Sequence, residues 1–326
     1  MSHAAITELK TIASTRNPGV ALDIPWVRSI QSNRSAIERR AATLPARRTV
    51  KKDWQAAWNL KAISCIDLTT LSGDDTESRV RRLCVKAKQP VHPHILAALN
   101  SPRLSVAAVC VYHEMIAAVI DTLKNTDISV AAVSTGFPAG LSALDVRVKE
   151  IEYSVSAGAT EIDVVISRRH VLESRWDSLY EEIKEFRHAC GDAHIKVILA
   201  TGDLGTLRNI ARASLVAMMA GADFIKTSTG KEAVNATIPA SLVMLRCIRD
   251  YFDRTGYKVG FKAAGGISKA RNALSYLTLV KEELGTRWMQ PDLLRIGASS
   301  LLGDIERQLE HHLYGRYSSE NRHPIS

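Results

Sequence analysis

From residue 60 onward, short apolar or β-branched runs alternate with longer stretches of amphipathic helical spacing. The runs cover residues 62–66, 106–111, 128–133, 161–166, 195–199, 224–226, 259–262 and 293–297. Such short apolar runs are the pattern of strands buried on both faces of a parallel sheet. Apolar residues at helical period predict helices over 77–88, 144–157, 176–189, 207–219, 240–251 and 270–284. Strand-then-helix alternation implies right-handed crossovers and a parallel sheet. Eight such units in about 250 residues have the number and length of a (β/α)8 TIM barrel. The competing α/β architecture, a doubly wound open sheet, calls for a GxGxxG turn after an early strand, and no such turn is present.

Residues 1–58 do not share this rhythm. Asn17-Pro18-Gly19 has turn chemistry, Pro25 suits the first turn of a short helix, and Ser35-Ala36-Ile37-Glu38 resembles a weak helix start. Trp54 and Trp58 stand one helical turn apart and are read as packing a helical arm onto the main body. The predicted organisation is an N-terminal helical extension over 1–58, a (β/α)8 barrel over 59–315 and a flexible tail over 316–326.

Composition narrows the class. Hydrophobic residues make up 46% and charged residues 24%, as in soluble globular proteins. No apolar run is long enough to span a bilayer, and residues 1–9 lack the basic start and apolar core of a signal peptide. The five cysteines form no CxxC pair, which points away from a disulfide framework or a zinc site and towards a reducing, cytoplasmic compartment. The formal net charge of +9 is concentrated partly in Arg39-Arg40, Arg47-Arg48 and Lys51-Lys52. No aromatic residues are interleaved there, which argues against a nucleic-acid stacking platform. A positive balance also attracts phosphorylated metabolites.

Reactive residues of a TIM barrel project at the C-terminal ends of its strands. The polar residues so placed are Asp67, Asp163, Lys196, Lys226 and Lys262. Lys226 closes the apolar run Phe224-Ile225-Lys226 and precedes Thr227-Ser228-Thr229-Gly230-Lys231. A buried ammonium is costly, so burial depresses the lysine pKa and leaves an amine able to attack a carbonyl. A plain surface lysine at a strand end is the alternative, but two lysines and an aspartate converging on one mouth favour chemistry. Gly265-Gly266 after the seventh strand and Ser299-Ser300 at a helix entry after the eighth suit a phosphate site, with Lys231 as a charged contact. Ordinary turns and an N-cap serine use the same residue types.

Taken together, Ile66-Asp67-Leu68-Thr69-Thr70-Leu71, Glu161-Ile162-Asp163-Val164-Val165-Ile166, Phe224 to Lys231, Gly260-Phe261-Lys262 and Arg295-Ile296-Gly297-Ala298-Ser299-Ser300 resemble the 2-deoxyribose-5-phosphate aldolases, class I Schiff-base enzymes. The resemblance runs over residues 47–315 and is closest to the longer, eukaryotic-type branch. It implies that Lys226 forms the Schiff base and that Lys262 keeps Lys226 partly neutral. Asp163 would relay protons, with Asp67 and Lys196 in support. It further implies sugar-phosphate and aldehyde substrates and no metal or cofactor, and it allows a homodimer. Three positions depart from the family pattern: Ala263 and His113 stand where proline is usual, and Asp203 where glutamate is usual. Cys110 is read as a small buried hydrophobe; exposed, its thiolate would be open to attack by aldehydes. A transaldolase-like enzyme and a basic binding protein built on a barrel scaffold are the other two readings.

Overall fold

The computed structural model describes residues 16–46, 50–101, 103–319 and 322–323. Arg47 and Arg48 therefore lie outside the described residues. Among the described residues three helices precede the sheet: α1 (Ile24–Ser29), α2 (Arg34–Thr43) and α3 (Lys52–Ser64). The strands are β1 (Ile66–Thr69), β2 (Ala108–Tyr112), β3 (Ser129–Ser134), β4 (Glu161–Val165), β5 (His194–Ile198), β6 (Phe224–Lys226), β7 (Gly260–Ala264) and β8 (Leu294–Ala298). Each pairs in parallel with the next, and β8 pairs with β1 to close the barrel. Helices α4 (Glu77–Lys88) and α5 (Pro93–Ala98) follow β1, and α6 (Ile116–Thr122) and α7 (Leu144–Ser156) follow β2 and β3. Then come α8 (Arg168–Leu172) and α9 (Trp176–Ala189) after β4, and α10 (Leu207–Met219), α11 (Ile238–Thr255), α12 (Ala270–Leu284) and α13 (Leu301–Tyr314) after β5 to β8. Among the described residues no helix is long and apolar enough to cross a membrane.

The local reasons for these elements are plain. Thr76, Thr206 and Thr237 cap α4, α10 and α11, each accepting a hydrogen bond from the backbone N–H three residues on. Gly256 and Gly315 take left-handed backbone angles and end α11 and α13. The first apolar run differs from expectation: residues 62–64 are the last turn of α3, and β1 starts at Ile66. Ala62 and Ile63 continue the buried stripe that begins at Ala56 and Asn59, and a short apolar run does not by itself distinguish strand from helix. That stripe also corrects the tryptophan reading. Trp54 lies off it and is 73% exposed, whereas Trp58 is half-buried with the Lys281 ammonium 5.3 Å from its ring.

The arm is pinned to the barrel by Asn17. Its side-chain amide donates to the carbonyls of Met218 (2.7 Å) and Ala222 (2.9 Å), and its Oδ1 accepts from Tyr251 Oη at 3.0 Å. Gly19, at φ +73°, passes so close to α10 that a Cβ there would lie 2.5 Å from the Met219 carbonyl oxygen. Beyond α13 the chain folds back on that helix, and His323 lies buried against Glu306 (3.4 Å) and Glu310 (2.8 Å). The apolar core fills the layer between sheet and helices, which leaves the barrel interior for a different set of residues.

Candidate active site

Side chains alternate along a strand, so Ile225 faces the helical layer while Phe224 and Lys226 face the barrel axis. The same alternation turns Asp67, Glu161, Asp163, Lys196, Lys262 and Arg295 inward from β1, β4, β5, β7 and β8. All of them are buried. The closed sheet brings together residues as far apart in sequence as Asp67 and Arg295.

Asp163 is the hub. Its Oδ2 accepts from Lys226 Nζ and from Lys262 Nζ, both at 2.7 Å, and its Oδ1 accepts from Lys196 Nζ at 3.0 Å. Lys262 also donates to Asp67 Oδ2 at 2.5 Å, and Lys196 to Glu161 Oε2 at 2.5 Å. Beneath them the Arg295 guanidinium donates to Asp67 Oδ1 (2.6 Å) and to both carboxylate oxygens of Glu161 (2.6 and 3.0 Å). Lys196 is the register partner of Phe224, two residues below the level of Lys226, so it sits deeper than the mouth.

The balance of charge decides the state of each group. Lys196, Lys226, Lys262 and Arg295 are four cations facing three carboxylates, Asp67, Glu161 and Asp163. One positive charge is in surplus, and a low-dielectric site resists it. Among the described residues Lys196 and Lys262 each hold two carboxylates within hydrogen-bond distance, and Lys226 holds only the oxygen it shares. Burial and the nearby Lys262 charge accordingly pull the Lys226 pKa below its ordinary value, against the pull of Asp163. For Lys262 and Lys196 burial acts the same way, but their carboxylates outweigh it and raise both. Burial pushes Asp163 up, yet Lys196, Lys226 and Lys262 together hold it well below the usual carboxylate range. Glu161, likewise opposed by burial, is held at about 2 by Arg295 and Lys196.

Two glycines make room for this cluster. A Cβ on Gly260 would lie 2.3–2.6 Å from atoms of the Phe224 ring, and that ring lies 5.7 Å from the Arg295 guanidinium. A Cβ on Gly297 would stand 3.2 Å from Lys262 Cε. Thr227 Oγ1 bridges β6 and β7, accepting from Ala264 N at 3.0 Å and donating to its carbonyl at 3.2 Å. Facing the amines is an apolar wall of Ala108, Cys110, Ala131, Val133, Phe137, Val165 and Ile198, with Leu71 and Tyr112 at its edge.

At the rim, Ala264 pairs with Gly297, so Gly265-Gly266 and Ser299-Ser300 leave neighbouring strands side by side. Gly265 and Gly266 have φ of +85° and +78°, and a Cβ on Gly265 would strike the Asn235 side chain at 2.5 Å. Lys231 is exposed beside Gly230, whose Cβ position lies 3.9 Å from Gly265 Cα. Ser300 stands at the N-terminus of α13.

Residues 61–302, which hold every inward-facing charge just described, match the family model described as DeoC/LacD family aldolase. The chain belongs to that family. It is 57% identical over 317 residues to the deoxyribose-phosphate aldolase of Homo sapiens, covering 96% of this chain and 100% of the human one. It is 58% identical over 312 residues to that of Mus musculus, covering 94% and 98%. Among solved structures, the tetrameric deoxyribose phosphate aldolase of Aeropyrum pernix superposes with a TM-score of 0.55 at 22% identity, over 81% of this chain and 97% of that one, which bears on the fold alone.

In this DeoC/LacD aldolase the five expected residues Asp67, Asp163, Lys196, Lys226 and Lys262 fall in one hydrogen-bonded cluster. Sequence reasoning missed Glu161 and Arg295 as members of it. The signal was present: each is a charged residue in a mostly apolar strand, and Glu161 precedes Asp163 by one alternation. Cys110 is fully buried and burial raises its thiol pKa, so the condition for a reactive thiolate is not met. Of the departing positions, Ala263 pairs with Ile296 inside the sheet, Asp203 holds Arg168 at 3.0 Å, and His113 lies 3.6 Å from Glu150.

Proposed function

We propose that this aldolase cleaves 2-deoxy-D-ribose 5-phosphate reversibly to D-glyceraldehyde 3-phosphate and acetaldehyde through a Schiff base on Lys226. The observation that carries the reading is the pairing of Lys226 with Lys262 on one aspartate oxygen, in which Lys226 is the amine whose pKa is drawn down. The identity to the human and mouse enzymes supports the substrate.

In the cleavage direction the Lys226 amine adds to C1 of the open-chain aldehyde, and the carbinolamine loses water to give a protonated imine. Asp163, acting through water, takes the proton of the C3 hydroxyl. The C2–C3 bond then breaks, its electron pair moves into the imine, and glyceraldehyde 3-phosphate leaves. The resulting enamine is protonated at C2 and the imine is hydrolysed to acetaldehyde. Lys262 supplies and accepts protons and holds Lys226 neutral; Asp67 and Lys196 keep Lys262 and Asp163 in place. The apolar wall around Ala131 and Val133 fits the two-carbon fragment. Lys231, Gly265, Gly266, Ser299 and Ser300 hold the phosphate.

The corresponding cell role is deoxyribonucleoside catabolism in the cytoplasm, with the protein acting as a homodimer. Residues 59–315 carry the activity, with 1–58 as an extension and 316–326 as a tail.

Borohydride reduction in the presence of acetaldehyde, followed by peptide mass spectrometry, tests the mechanism. An ethyl adduct on Lys226 that disappears in Lys226→Ala is the expected result. An adduct on Lys262 would reverse the two lysine roles, and no adduct in the folded protein would reject the Schiff base. Transfer of a ketose fragment without use of acetaldehyde would reassign the substrate class.

A further inference from the structure

Arg295 is buried beneath the lysines, and all three of its guanidinium nitrogens donate hydrogen bonds. Nε donates to the Pro291 carbonyl at 2.6 Å, Nη1 bridges Asp67 (2.6 Å) and Glu161 (3.0 Å), and Nη2 donates to Glu161 at 2.6 Å. The Phe224 ring lies against it at 5.7 Å, in the space left by Gly260. A planar fork held this way fixes the orientation of both carboxylates, and it remains charged at every working pH.

We propose that Arg295 is a positioning residue of the reaction: by clamping Asp67 and Glu161 it seats Lys262 and Lys196 on carboxylates and leaves Lys226 as the amine with only a shared oxygen. Asp67 turns its other oxygen to Lys262, and Glu161 shares Oε2 with Lys196. Each of these lysines thereby has a carboxylate besides Asp163. The guanidinium also contributes the surplus positive charge that the cluster relieves at Lys226. The inference rests on the Schiff-base reading above. The titratable and charged groups facing Arg295 and the cluster it holds are Cys65 before β1, Asp67 on β1, Cys110 on β2, Glu161 and Asp163 on β4, His194 and Lys196 on β5, Lys226 on β6 and Lys262 on β7. Inward-facing Ala131 and Val133 on β3 carry no charge.

The sign of each perturbation follows from the same count. Arg295→Met leaves three lysines facing three carboxylates, so Lys226 keeps its proton to higher pH. Glu161→Gln leaves four cations facing two carboxylates, so Lys226 loses its proton at lower pH. The double variant E161Q/R295M restores the original surplus.

The test is the pH dependence of borohydride trapping with acetaldehyde, which has no phosphate to titrate. The acid limb should move up by about one pH unit in R295M and down by a similar amount in E161Q, and return towards the wild-type position in the double variant. Arg295→Lys keeps the charge but loses the fork, so its limb should stay in place while kcat for the sugar phosphate falls about tenfold. If R295M does not fold, E161Q and the double variant still decide the sign. Limbs that superimpose on wild type in every folded variant would reduce Arg295 to a structural role and overturn the proposal, as would an R295K enzyme of undiminished kcat. A wild type that traps no adduct on Lys226 would instead overturn the Schiff-base reading on which the proposal stands.

Discussion

Lys226 and Lys262 donate to the same oxygen, Oδ2 of Asp163, each at 2.7 Å. They come from adjacent strands in direct register, yet their pKa values move in opposite directions. Lys262 has Asp67 as a second partner, and among the described residues Lys226 has none.

Removing Lys262 as Lys262→Met should therefore do two things. It deletes a proton carrier, which lowers kcat by about 10²- to 10⁴-fold. It also deletes the like charge beside Lys226, whose pKa then rises, so trapping with acetaldehyde needs a higher pH. A trapping profile unchanged from wild type would show that Lys262 does not hold Lys226 neutral.

Acid should unfold the barrel from its interior. Asp67, Glu161 and Asp163 have folded pKa values below their ordinary values of 3.8 and 4.5, with Glu161 at about 2. The unfolded chain therefore takes up protons first as pH falls. The stability these carboxylates contribute is fully present above about pH 5 and is lost as pH drops towards 2. Urea midpoints between pH 6 and 3 should fall steeply in wild type. In Asp163→Asn the fall should be shallower, starting from a stability lower by about 3–5 kcal/mol because three buried lysines lose their shared partner.

The two glycines should separate stability from activity. Gly260→Ala forces a Cβ into the buried Phe224 ring and should cost about 1–3 kcal/mol in denaturant unfolding. Gly297→Ala meets Ala264 Cβ and Lys262 Cε first, at 3.0 and 3.2 Å. It should leave the unfolding midpoint nearer to wild type while lowering kcat, because Lys262 moves off its carboxylates. Equal effects of both variants on both measurements would refute this division.

Lys231 sits at the rim and away from the amines. Lys231→Ala should raise KM for deoxyribose 5-phosphate by about tenfold, the equivalent of one charge-assisted contact. With deoxyribose lacking the phosphate, the variant and the wild type should be indistinguishable. A loss of similar size on both substrates would move Lys231 out of the phosphate site.

Asn17 tests the extension. Its hydrogen bonds to Met218, Ala222 and Tyr251 are all buried. Asn17→Ala orphans two carbonyls and a hydroxyl and should destabilise the protein by about 2–3 kcal/mol. Retention of the wild-type urea midpoint would show that the arm does not brace the barrel.

The eight-fold rhythm of strands and helices, the two lysines and Asp163 were legible in the sequence because alternation and apolar runs are local properties. Each strand declares its inward charges by interrupting its own apolar pattern. The start of β1 was not legible, because residues 62–64 are apolar enough for either state and only the packing of α3 chooses helix. Glu161 and Arg295 were visible as charges but not as partners, since residues 134 positions apart meet only when the sheet closes. Which lysine has its pKa lowered is likewise a property of the closed barrel. It follows from how four cations share three carboxylates, a count that no strand contains and that the tertiary structure alone brings about.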